Sequence, residues 1–276
     1  MNDPAFITID EYKAMKPDEI AKYLTRAQDL YHEGESKMKD DYFDLIKEHL
    51  YEIAPTHSFF KKVGGESSHG ENVKLPYYMG SLDKIRDEPV QLDKWLKKYK
   101  GPYVISDKLD GNSAMYVNKT FLYSRGNGVI GKNISHVLPF IKIKINQNVN
   151  DKTDTKSEND IVVRGELIIS RDNWAKLNMS DSLPRNVANG AVHAKNINST
   201  LLQNVEFIAY ELLHPKPSSH SEGLDLLVKL GFNVVHYEKH DAINFNSLSK
   251  ILIDRRANSN YEIDGIVVYN DYDTVS

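Results

Sequence analysis

The hydrophobic period of the chain changes near residue 73, and no single architecture accommodates both halves. Before that point apolar residues recur at three- and four-residue steps, the spacing of one helix face. After it they come in short β-type runs separated by turn residues. Residues 10–54 therefore read as a helical hairpin. Ile20, Tyr23, Leu24, Ala27, Leu30 and Tyr31 share one face, with Pro17-Asp18-Glu19 suited to the helix start and Gly34 to its end. Tyr42, Leu45, Ile46, His49, Leu50 and Ile53 mark a second helix, closed by Pro55. Residues 64–72 are polar and glycine-rich and read as a linker. The expected division is a helical domain over 1–68 and a larger domain over 69–276.

In the larger domain one helix is expected over 90–99, basic on its outer face (Lys94, Lys97, Lys98). Strands follow at 103–106, 113–117, 120–124, 161–169, 205–213, 232–237 and 262–269. Helices interrupt them at 171–178 and 220–230. Strands that arrive mostly as hairpins pair antiparallel. The expected fold is α+β: two antiparallel sheets flanking a cleft, preceded by the helical hairpin. Residues 146–160 are poor in apolar side chains and read as a mobile loop.

Composition removes several chemistries. The chain has no cysteine, which excludes disulfides, thiolate metal sites and cysteine nucleophiles. Its net charge of −4 argues against tight, free-standing binding to nucleic acid. No apolar run reaches membrane-spanning length and the N-terminus lacks a leader pattern, so the expected location is intracellular, in the cytoplasm.

The candidate chemistry starts at Lys108, in Lys108-Leu109-Asp110-Gly111, where a strand meets a turn. A lysine at such a strand end is either a surface residue beside an Asp-Gly turn or, held among converging polar groups, a nucleophile. Other polar clusters also sit at strand ends. Ser124-Arg125-Gly126-Asn127-Gly128 is either a hairpin turn or a backbone cradle for a ligand. Glu166 interrupts the apolar run 161–169, where a carboxylate needs a partner: a structural pair with Arg164, or a shared place in the cleft. Arg185-Asn186-Val187-Ala188-Asn189-Gly190-Ala191 reads as a polar turn after Pro184, and Asp264-Gly265 opens the last strand.

In this order the clusters resemble the motifs of covalent lysyl-adenylate enzymes, and most closely the NAD-dependent, bacterial-type DNA ligases. Lys108-Leu109-Asp110-Gly111 resembles the motif that carries the nucleophile. Glu166 and Asp264-Gly265-Ile266-Val267-Val268 resemble two later motifs, and Pro76-Tyr77-Tyr78-Met79-Gly80-Ser81-Leu82 resembles the segment beside the adenine. Leu177-Asn178 and Phe207-Ile208-Ala209-Tyr210 fall in the family's order as well. The resemblance implies the ATP-grasp-like nucleotidyltransferase fold of ligases, NAD and Mg²⁺ as cofactors, and nicked double-stranded DNA as partner. It implies Lys108 as nucleophile and Asp110 at the ribose or orienting Lys108. Arg125 would contact ribose or phosphate, Arg185 phosphate, and Ser81 and Leu82 the adenine. Glu166 and Asp264 would hold the ribose or the metal. Tyr31, His32 and Tyr42 would receive the nicotinamide end, unless they are helix-packing aromatics and a surface histidine.

Departures accompany the matches. Ser106 stands where the family has glutamate, His193 where it has a second arginine, Phe43 follows Tyr42 in place of aspartate, and Tyr269 replaces a lysine. A fifth motif, an OB-fold and zinc and helix-hairpin-helix modules are expected in a missing C-terminal region or a second chain. Two other functions share these residues: an ATP-dependent DNA or RNA ligase, and an inactive ligase-like binding module.

Overall fold

The computed structural model describes residues 9–33, 40–54, 57, 59, 70–80, 82, 84–85, 89–143, 145, 161–179, 182–194 and 196–272. Most of the linker and loop expected at 64–72 and 146–160 lies outside them.

The N-terminal part is helical: α1 (Ile9–Ala14), α2 (Pro17–Glu33) and α3 (Asp40–Ile53). Its core is formed by Tyr12, Ile20, Leu24, Ile46, Leu50 and Phe59, at the spacing that the periodicity predicts. Ile53 departs from that face and is exposed. It is the last residue of α3, where the helix leaves its partner.

The remaining elements are β1 (Asn72–Lys74), α4 (Pro89–Lys98), β2 (Tyr103–Leu109), β3 (Asn112–Val117), β4 (Phe121–Ser124) and β5 (Ile130–Lys132), then β6 (Val162–Ile169), α5 (Arg171–Leu177), α6 (Pro184–His193) and α7 (Ser199–Leu202). The chain continues through β7 (Val205–His214), α8 (His220–Lys229), β8 (Tyr237–His240), α9 (Phe245–Asn258) and β9 (Ile263–Asn270). The strands form a three-stranded sheet, β8-β2-β9, a four-stranded sheet, β4-β3-β6-β7, and a two-stranded ribbon, β1-β5. All these pairings are antiparallel. The α+β class with two main antiparallel sheets is thus borne out, and the ribbon is an addition.

Alternation along β2 decides what each sheet face meets. Tyr103 and Ile105 pack with Trp95 and Leu96 of α4 and Leu248 and Ile251 of α9. Val104, from the other face, joins the main core with Ala114, Val163, Leu167 and Phe207 of the four-stranded sheet. Ser106 and Lys108 follow Val104 on that second face, so the nucleophile candidate emerges between the two sheets.

The strand β8 and the helices α6 and α9 also differ from the sequence expectation, and α7 is an addition. The strand expected over 232–237 begins at Tyr237, and only Val234 makes an isolated bridge, to Ala209. The expected turn after Pro184 is the helix α6, with proline in its first turn and Val187, Ala188, Ala191 and Val192 buried. Helix α9 was not expected; Asn244 and Ser247 close a capping box at its start. No helix among the described residues is long and apolar enough to cross a membrane.

Candidate functional site

Lys108 lies opposite Gly265 in the β2–β9 ladder, and Leu109 lies opposite Ile263. Asp264 is therefore the extra residue of a β-bulge, without a cross-strand partner. A bulge re-aims the side chain of its extra residue. Here it turns Asp264 toward Lys108, and the carboxylate forms an ion pair with the Lys108 amine.

The second carboxylate comes from the facing sheet. Glu166 is buried in β6, directly across from Ser113 of β3, whose Oγ donates to Oε2 at 3.0 Å. Burial pushes the Glu166 carboxyl up to about 8, against the opposing pull of the Ser113 hydrogen bond and of the Lys108 and Arg125 charges. Those charges place Glu166, Lys108 and Arg125 within electrostatic reach of one another. Tyr210 of β7 shares the Ser113 hydroxyl, and burial, reinforced by Glu166, raises its phenol well above the ordinary tyrosine value.

Gly111 brings the two sheets together at this point. A Cβ there would sit 2.6 Å from the Leu167 carbonyl oxygen and 2.8 Å from Glu166 Cγ. The glycine of the Lys-x-Asp-Gly turn is thus required by close approach to β6. Asp110, just before it, accepts from Arg185 Nη1 at 2.9 Å, and the Arg185 carbonyl accepts from Asn112 Nδ2 at 3.0 Å. Arg185 is held by α6, which packs on β6 and against α2 of the helical part.

Arg125 follows β4, and its Nε donates to the Met79 carbonyl at 3.1 Å. The glycines beside it allow close backbone approach: at Gly126 a Cβ would meet the Ile130 carbonyl oxygen across the hairpin, and at Gly128 that of Met79, from the segment before α4. Asn127 Oδ1 accepts from the backbone N–H groups of Val129 and Ile130 at 2.9 and 2.7 Å. The polar cluster there is accordingly a self-satisfied turn that carries Arg125 to the site.

Arg164 does not pair with Glu166. Its Nη1 donates to Glu211 Oε2 of β7 at 2.6 Å, and its Nη2 to the Tyr78 carbonyl. The register places Glu211 across from Arg164, so the pair forms between strands.

Lys108, Asp110, Arg125, Glu166, Arg185 and Asp264 are brought together by the fold. Leu82 is exposed, and Ser81 lies outside the described residues. Tyr31 and His32 fall in the last turn of α2, with side chains outside the described residues. Tyr42 is half-buried and packs edge-on against Tyr12, ring centroids 6.3 Å apart, and burial raises its phenol above the ordinary value. Tyr269 extends from β9 opposite Val104 and stacks on His220 at 3.6 Å. The sequence carries Tyr210 only as part of a run in the family's order, with no role attached, and Ser113 has no distinguishing local signal. Tyr210 ends the Phe207-Ile208-Ala209-Tyr210 run, so its place on one face of a strand was the available signal.

Among the described residues no cluster of three or more histidines and carboxylates is arranged to hold a metal ion. Mg²⁺ is commonly held by one or two carboxylates with substrate phosphates and water, and Glu166 with Asp264 fits that donor set.

Comparison with known proteins agrees with this arrangement. Residues 71–275 match the family model described as NAD-dependent DNA ligase adenylation domain. A DNA ligase of Acanthamoeba polyphaga mimivirus is 37% identical over 261 residues, covering 92% of this chain and 40% of the relative. A DNA ligase of Wolbachia pipientis subsp. Culex pipiens (strain wPip) is 31% identical, over 86% of this chain and 38% of its own. One from Clostridioides difficile (strain 630) is 28% identical, over 86% and 39%. The chain thus spans about two fifths of the length of these relatives. The matched region includes Lys108, Glu166 and Asp264, and the chain belongs to the NAD-dependent DNA ligase adenylation domain family.

Proposed function

We propose that this chain carries out the first step of NAD-dependent DNA joining, the transfer of AMP from NAD to Lys108. The observation that supports it most is the pairing of Lys108 with Asp264 while Glu166 approaches from the opposing sheet. The Lys108 amine attacks the α-phosphorus of NAD. An N–P bond forms, the P–O bond to nicotinamide mononucleotide breaks, and that group leaves with the electron pair. Asp264 is the nearest base for the amine proton. The AMP then passes to a 5′-phosphate at a nick in double-stranded DNA, where a 3′-hydroxyl displaces it.

Phosphoryl transfer depends mainly on positioning and on neutralising charge at the phosphate oxygens. Arg125, within electrostatic reach of Glu166, and Arg185, bonded to Asp110, supply positive charge beside Lys108. Glu166 and Asp264 would hold Mg²⁺, which when bound would neutralise the phosphate oxygens. Tyr31, His32 and Tyr42, carried by the helical part (1–68), would receive the nicotinamide end. Ser81 and Leu82 would line the adenine pocket. With a net charge of −4, much of the grip on DNA falls to a further region or a second chain. The reaction takes place inside the cell, where NAD and nicked DNA are found.

The test is to offer the chain NAD or ATP, each labelled in the adenylate. Label retained on denatured protein from NAD, with release of nicotinamide mononucleotide, is the expected result. Label from ATP alone would assign the chain to ATP-dependent ligation, and label from neither, with Mg²⁺ present, would overturn the catalytic reading.

A further inference from the structure

We infer that the ion pair between Asp107 and Arg255 positions Lys108 for the adenylation proposed above, on which this inference rests. Asp107 immediately precedes Lys108 and points to the opposite face of β2, onto α9. Arg255 grips it with two hydrogen bonds, Nε to Oδ1 at 3.0 Å and Nη2 to Oδ2 at 2.9 Å. The side chains are 3% and 16% exposed, so the pair is almost withdrawn from water. It lines a cleft of about 290 Å³ with His236 and Tyr261, a cleft that Lys108 does not enter.

A buried ion pair is weak evidence for stability, because desolvation offsets its attraction. What a two-pronged guanidinium–carboxylate contact does supply is angular definition. That definition falls where the sheet lacks it. At Lys108 and Leu109 the β2–β9 ladder is interrupted, and the extra residue is Asp264 itself. Ladder pairing resumes on either side, and Asp264 itself has no partner in the ladder.

The end of α9 addresses both strands. Arg255 holds β2 through Asp107, and the next residue, Arg256, donates from Nη2 to the Asp264 carbonyl at 2.9 Å. The segment after α9 is in turn tied to the sheet that carries Glu166. Arg171, at the start of α5, donates to the Ser259 carbonyl at 3.1 Å and to Glu262 Oε1 at 2.9 Å. Asp254 and Glu238 also lie within electrostatic reach of Arg255. Asp107 and Arg255 touch no reacting atom in this account; they are positioning residues.

The test compares the double variant Asp107→Leu/Arg255→Met with Arg255→Lys. The first replaces the pair by apolar residues of similar length. The second keeps the charge and loses the fork, so it supplies a folded protein should the first fail to fold. Positioning predicts that single-turnover adenylation slows by about 10- to 100-fold in either variant. The NAD concentration for half-maximal rate stays within about twofold, because no substrate contact is lost. Acetylation of the Lys108 amine by acetic anhydride, followed by peptide mass spectrometry, should speed up several-fold as the amine leaves Asp264. A wild-type rate and wild-type Lys108 acetylation in a folded variant would overturn the inference, leaving the pair a structural contact. Should the wild type form no adenylate, the proposed function fails by itself. The acetylation comparison then still decides whether the pair positions the lysine.

Discussion

Lys108 and Asp264 stand 156 positions apart and form an ion pair across the interrupted β2–β9 ladder. The contact exists because one residue more is accommodated on β9 than on β2. Without the bulge, Asp264 would face away from Lys108, since neighbouring residues of a strand point to opposite faces. The pairing holds the amine beside a carboxylate.

Asp264→Asn keeps the side-chain shape and removes that charge. Adenylation of Lys108 should fall by about 100-fold, with a stability change within about 1 kcal/mol because the pair is partly exposed. Single-turnover kinetics and urea unfolding on the same sample check both parts.

Glu166→Gln separates stability from function. Glutamine still accepts from Ser113 and has no charge to desolvate, so urea unfolding should show unchanged or slightly raised stability, by up to about 1 kcal/mol. Adenylation should fall at least about 100-fold, since Glu166 would no longer supply a carboxylate ligand for Mg²⁺. A large loss of stability would show that the carboxyl is structural.

Gly111→Ala tests the contact between the sheets. The added methyl group would meet the Leu167 carbonyl and the Glu166 side chain. Crowding of this kind costs about 1–3 kcal/mol. Urea unfolding should show that loss, accompanied by slower adenylation because Glu166 is displaced.

His220→Phe tests the stack beneath Tyr269. Burial holds the His220 imidazole down, to about 4, against the opposing pull of Asp271. Between about pH 6.5 and pH 4 the unfolded chain takes up a proton that the folded one refuses, so stability declines as pH falls through this window. Phenylalanine keeps the ring contact without that proton. Its stability should gain on the wild type as pH is lowered, by on the order of 2 kcal/mol near pH 5. Urea unfolding at about pH 7 and about pH 5 measures the trend, and parallel curves would contradict it.

Much of this site was legible along the chain, because the residues that matter break local rules. A carboxylate in the apolar run 161–169 and a lysine at a strand end stand out against their neighbours. The hairpin β3–β4 was visible as alternation separated by turn residues, whereas β2 and β3, on either side of Asp110-Gly111, part into different sheets instead of pairing as a hairpin. What stayed hidden depends on register. Arg164 finds Glu211, 47 positions away, and not the adjacent Glu166, because β6 and β7 align that way. The bulge at Asp264 has one local sign, Gly265 inside a strand run, which gives neither its register nor its partner. Helix α9 escaped notice because none of its residues is fully buried, so its apolar face is narrow. Helix α6 was obscured by Asn186, Asn189 and Gly190, residues of low helix propensity, although Pro184 marked its start.

Peptide mass spectrometry of the chain after incubation with NAD and Mg²⁺ decides whether Lys108 accepts AMP from NAD. One adenylated peptide is expected, carrying AMP on Lys108, and none in Lys108→Ala. Adenylate on another residue, or an adenylated Lys108→Ala protein, would contradict it.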